Sequence, residues 1–127
     1  MNNKILKLKE NIFYRARIFI EDAGYFVPFG AKICQNHLVD MMPYEDFEDS
    51  INGVVLVDLM KSHIINEFKK GLIQGGAIAY DVVINVDNED GLEVKRDALC
   101  LIFTEDGKNW LDEYFPYILI DNECIWI

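Results

Sequence analysis

Cys34, His37 and Asp40 fall at steps of three in the stretch CQNHLVD. A thiol, an imidazole and a carboxylate are the residue types of a cysteine nucleophile with its base. The same thiol and imidazole supply two zinc ligands, but a structural zinc site takes four, usually from paired motifs. Cys100 and Cys124 stand in apolar runs without paired spacing, and His63 sits in a helical pattern beside Ile64. Nothing flanking Cys34 matches a nucleophile signature. The set therefore reads first as a core thiol beside a solvated turn histidine.

Other chemistries stop at composition. Asp87-Asn88-Glu89-Asp90-Gly91 is acidic enough for a calcium loop, yet its sixth position is Leu92 and its twelfth Ala98, where an EF-hand needs glycine and glutamate. Gly71-Leu72-Ile73-Gln74-Gly75-Gly76 follows a helix and lacks the Lys-Ser/Thr of a phosphate cradle. Paired-carboxylate hydrolysis has many acids to draw on and no spacing that selects two. The expectation is no catalytic residue, no cofactor and no metal.

Recognition is the remaining chemistry. Tyr25, Pro28 and Phe29 lie in GYFVPFG, and Tyr114, Pro116 and Tyr117 lie in a second aromatic-proline-aromatic segment near the end. Proline donates no hydrogen bond to a β-ladder, so both segments belong at strand ends, edges or bulges. Glu45, Asp46, Glu48 and Asp49 add an electrostatic rim that also suits the positive end of a following helix. These ten residues are the candidate interaction set. An alternative places Tyr25, Phe29, Tyr114 and Tyr117 around a small-ligand pocket.

The elements that must position them follow from periodicity. Ile5, Leu8, Ile12, Ala16, Phe19 and Ala23 mark one helix face, with Lys4, Lys7, Lys9, Glu10, Arg15, Arg17 and Glu21 assigned to the other side and Gly24 ending the helix. A hairpin follows, from Tyr25 to about Cys34 and from Leu38 to Met42. A second helix opens between about Phe47 and Val54 and carries Val57, Met60, Ile64, Phe68 and Leu72 at helical steps. Strands are expected over Ala77 to Val86, Ala98 to Thr104 and Trp110 to Ile120, with Asp106-Gly107 as a hairpin signal and Asp121-Asn122 as a tight turn before a short last strand. The order α-β-β-α-β-β-β defines a single α+β domain over 1–127, a two-layer sandwich with an antiparallel sheet of about five strands. The run Ala98 to Phe103 supplies apolar side chains to both sheet faces, which suits helix cover or dimerisation.

Twelve Lys and Arg against 22 Asp and Glu leave a net charge of -10 over 127 residues. That field repels phosphate backbones and anionic membranes, so nucleic acid and membrane are excluded as partners. Three cysteines without a framework and no signal-peptide pattern indicate a reducing cytoplasm. The functional expectation is a non-enzymatic, acidic module that binds a basic protein, as an immunity protein binds a toxin. A structural homodimer and a small enzyme or ligand-binding domain are the alternatives.

Phe26-Val27-Pro28-Phe29-Gly30 after an amphipathic helix, with Asp97-Ala98-Leu99, Glu105-Asp106-Gly107 and Pro116-Tyr117 later, resembles small uncharacterised bacterial α+β proteins. That resemblance implies no activity or cofactor. The element order is similar to that of roadblock-type domains, which implies a dimeric scaffold.

Overall fold

A computed structural model describes residues 3–42, 53–87 and 90–127. The elements are α1 (Asn3–Ala23), β1 (Phe29–Cys34), β2 (His37–Met41), α2 (Gly53–Lys69), β3 (Gly75–Asp87), β4 (Glu93–Thr104), β5 (Trp110–Ile120) and β6 (Glu123–Trp126). The strands form one antiparallel sheet in the order β2-β1-β3-β4-β5-β6, so the chain adopts the expected α+β class with one strand more than five. No described helix is long and apolar enough to cross a membrane.

Local chemistry sets the joints. Gly24 takes φ of +84° and its N–H donates to the Ile20 carbonyl at 2.7 Å, the left-handed stop that ends α1. Gln35 and Asn36 both have positive φ, as do Asp121 and Asn122, giving the two-residue turns that close β1–β2 and β5–β6.

Alternation along the strands separates two cores. Odd-numbered Phe29, Ala31, Ile33, Ala77, Ala79, Leu99 and Leu101 pack with Ile5, Leu8, Ile12, Ala16 and Ile20 of α1. Even-numbered Ile78, with Cys34, Tyr80 and Ile102 beside it, packs with Val57, Met60 and Ile64 of α2. The helices thus lie on opposite faces of the sheet, which makes it the middle of three layers rather than one of the two expected, and the apolar runs feed both. Each buried Ile or Leu of α1 contributes about 1.5–3 kcal/mol by leaving water.

The two covers are unequal. The α1 core extends to Tyr117 and Cys124, and Phe13 sets its ring edge-on to Phe115 at 4.7 Å and Trp126 at 5.0 Å. The α2 core ends at Tyr80, Ile102 and Trp110.

Several boundaries and assignments differ from expectation. β1 opens at Phe29 rather than Tyr25, because Pro28 cannot extend the ladder. β4 opens at Glu93, five residues before Ala98, since its charged outer residues hide a strand pattern. Leu72 lies past the Gly71 stop and is exposed. Arg15, assigned above to the polar side of α1, is only 9% exposed: it stands three residues after Ile12, within the apolar stripe. Its guanidinium lies 4.7 Å from the Phe29 ring centre and donates to the carbonyls of Gly30 at 2.6 Å and Met41 at 3.2 Å, so the buried cation is hydrogen-bonded. Gly30 itself is required by close approach, because a Cβ there would sit 2.4 Å from the Ala77 carbonyl oxygen.

Candidate protein-interaction surface

β3 and β4 pair from Gly76↔Thr104 out to Asp87↔Glu93, but β1 pairs with β3 only as far as Phe29↔Ala79, and β5 pairs with β4 only as far as Ala98↔Pro116. Residues 82–87 and 93–97 therefore form a two-stranded ribbon beyond the pairing of their neighbours. Because successive side chains alternate between faces, DVVINVD and EVKRDA sort themselves into two surfaces. Asp81, Val83, Asn85, Asp87, Glu93, Lys95 and Asp97 share the α1 side, while Val82, Ile84, Val86, Val94 and Arg96 share the opposite side.

On the α1 side, Asp87 stands directly opposite Glu93, and like charges in that relation destabilise a ladder. Asp87, Glu93 and Asp97 are exposed. Among the described residues none of these three, nor Asp81, forms an ion pair. Asp81 marks the inner end. Its carboxylate accepts the Tyr117 hydroxyl at 2.9 and 3.0 Å and the Phe26 N–H. Burial raises the Asp81 pKa above the ordinary carboxylate value and Asp97 adds to that, while hydrogen bonds from Tyr117 and from the backbone amides of Phe26 and Val82 act against it. Tyr117 is pushed well above an ordinary phenol by its burial and by Asp81, so it remains a donor.

Asp81 thus joins the two proline-aromatic segments, one through a backbone amide and one through a phenol. Of their residues, Tyr25 is 60% exposed next to the bonded amide of Phe26. Pro28 and Phe29 are buried, Phe29 edge-on to Phe19 and Phe26, and Tyr117 is buried except through its link to Asp81. These three hold the fold and offer no surface to a partner. Tyr114 and Pro116 lie on the other sheet face, Tyr114 half exposed over Cys100. Pro116 stands at the last β4–β5 pair and its carbonyl accepts the Ile127 N–H at 3.0 Å. Its missing amide therefore points toward β6, away from β4, and removes no rung of the β4–β5 ladder. Glu45, Asp46, Glu48 and Asp49 lie outside the described residues.

Tyr25, Phe29, Tyr114 and Tyr117 do not enclose one pocket, because Tyr114 faces away from the other two strand residues. Clefts of about 180, 200, 220 and 270 Å³ open at four places, each smaller than the roughly 300 Å³ at which drug-sized sites begin. The 180 Å³ cleft is lined by Phe19, Tyr25, Phe26, Val27 and Met42, with Asp22 at its edge.

The catalytic sets do not assemble. Cys34 and His37 face one another across the hairpin, but Asp40 pairs with Ala31 and projects to the α1 side, where it accepts from Asn11 at 2.9 Å. No hydrogen bond joins Cys34 to His37 among the described residues. The thiols of Cys100 and Cys124 are buried, and burial raises the pKa of both. No group of three His, Cys, Asp or Glu among the described residues is placed to hold a metal.

Sequence reading missed two charged groupings. Lys32 donates to Glu67 at 2.6 Å and His63 contacts the same carboxylate oxygen, closing a half-buried network between β1 and α2. The i,i+4 spacing of His63 and Glu67 carried that signal. Asp81 was hidden inside an apolar run, where a lone acid is itself the sign of a partner. The chain matches no family model, and comparison with curated proteins and with solved structures finds no match either.

Proposed function

We propose that this chain is an acidic protein-interaction module that binds a basic partner on the α1-side face of the β3–β4 ribbon. The observation that carries this reading is the arrangement of Asp81, Asp87, Glu93 and Asp97 on one face of a ribbon, with Lys95 as its one cation and no ion pair made by these acids among the described residues. The Asp87–Glu93 repulsion is relieved when a Lys or Arg from outside enters between them. Net charge of -10 steers such a partner from a distance. Tyr25 and Val27, exposed beside the Asp81 end, supply apolar contact area of the kind that anchors an interface. Inhibition of a basic toxin, the immunity-type role, is one form of this activity.

Decalysine is a defined probe. Binding of decalysine to the full chain, followed by calorimetry at low salt, is compared between Asp87→Lys/Glu93→Lys/Asp97→Lys and a control of equal charge, Glu10→Lys/Asp58→Lys/Glu105→Lys. The ribbon variant is expected to lose about tenfold more affinity than the control. Equal losses would show that only total charge matters and would remove the ribbon as the site.

A further inference from the structure

The opposite face of the ribbon is mainly apolar, with Arg96 as its charge among the described residues. Val82, Ile84, Val86 and Val94 line it, and they continue across the sheet into Tyr114, Pro116, Ile118 and Ile120 of β5 and Ile125 and Ile127 at the end of the chain. The continuity is direct, since Val86, Val94, Pro116 and Ile127 share the walls of the 270 Å³ cleft with Asp87 and Arg96. Tyr114 and Ile120 are each 50% exposed and Ile127 is 56% exposed. None of these side chains belongs to the core beneath α2.

Antiparallel sheets that face water on one side alternate, with polar residues outward. In the ribbon the polar residues take the α1 side, and the β-branched residues take the α2 side, beyond the core that α2 closes. That apolar face is patterned for burial, and its side chains are half-buried to exposed.

We infer that this face is the contact surface of a homodimer, two copies packing sheet to sheet about a two-fold axis. Charge chooses between occupants. In this arrangement the two acidic ribbon faces point away from each other, and a second copy brings an apolar face that carries Arg96 and, opposite Ile120, Glu123, one charge of each sign. A basic protein would find Arg96 there as the ribbon's one charge on that side. Area is sufficient. One strand spacing by two residues of rise gives each of these ten side chains about 32 Å² of projected sheet. Allowing roughly twofold for side-chain relief, two copies cover on the order of 1,300 Å², above the roughly 1,000 Å² of a specific interface.

Salt separates this surface from the one proposed above. Repulsion between two chains of charge -10 weakens as salt rises, so dimerisation strengthens, whereas binding of a basic partner weakens. Sedimentation equilibrium of the full chain, from low to molar salt and up to about 500 μM, is the test. A dimer that tightens with salt is expected. Val86→Arg, whose side chain is half-buried in the single chain, is expected to weaken it at least tenfold, while Val83→Arg, 63% exposed on the other face, leaves it intact. Circular dichroism verifies that both variants fold. A chain that stays monomeric throughout, or a dimer broken by Val83→Arg and not by Val86→Arg, overturns the inference. Either result leaves decalysine binding untouched.

Discussion

The base of the sheet and its ribbon are built from the same two strands and end in opposite states. At Ala77–Tyr80 and Leu99–Ile102 both faces meet a helix, and the side chains are apolar whichever way they point. Past Asp81 no β3 side chain belongs to either core, and alternation splits the chain into an acidic surface and an apolar one. The base answers a packing requirement. The ribbon satisfies none, and its two surfaces are therefore the parts of the molecule on which function is read.

If that division holds, substitutions should cost stability in the base and binding in the ribbon. Phe29→Ala removes a ring with no exposure that packs against Phe19, Phe26 and Arg15. Chemical denaturation should show a loss of about 3–5 kcal/mol. Gly30→Ala comes next, at about 3 kcal/mol, because the added methyl meets the Ala77 backbone, which cannot step aside as a side chain can. A change under about 1 kcal/mol at either position would mean that the base is not the rigid half.

At the junction, Tyr117→Phe leaves the partly buried Asp81 carboxylate without its phenol donor. The expected cost is about 1–2 kcal/mol at neutral pH. The titration of Asp81 gives the sign of a further effect. Its folded pKa is raised, so its charge opposes folding at neutral pH, and that opposition is relieved as pH falls through the folded value toward 3.8. Asp106 is the reverse. Backbone N–H groups of Asn109 and Lys108 lower its pKa, so its contribution is present above 3.8 and is lost as pH falls through the folded value. Thermal melts at neutral pH should therefore place Asp81→Asn above Asp106→Asn. The opposite ranking would contradict the electrostatic assignment of the ribbon's inner end.

The smallest effect belongs to the ribbon tip. Asp87→Asn removes one of two like charges held opposite each other and should raise stability by a few tenths of a kcal/mol. A loss instead would mean that Asp87 is held by the fold.

The elements were legible where periodicity is strong. α1 reads as a stripe from Ile5 to Ile20, and Gly24, Gln35-Asn36 and Asp121-Asn122 mark their turns because few residues tolerate positive φ. The ribbon was not legible. Ala77 to Val86 is one β-branched run, and nothing within it marks the residue at which helix cover ends. Glu93-Val94-Lys95-Arg96-Asp97 looks like a polar loop until Val94 and Arg96 are seen to share a face opposite to Glu93, Lys95 and Asp97. Charge also misplaced Arg15, although its position in the stripe was correct for burial. The two proline-aromatic segments were visible as a pair. What joins them, Asp81, was not, because their strands are separated by β3 and β4 in the sheet.

Amide chemical shifts followed residue by residue while decalysine is added at low salt test the two-surface account most directly. The account predicts shifts concentrated at Asp81, Asp87, Glu93 and Asp97 and reaching Tyr25, with Val82, Ile84 and Val86 responding only as their neighbours, and all of them fading as salt rises. Shifts of equal size at Glu10, Asp58 and Glu105, or none on the ribbon, would contradict it.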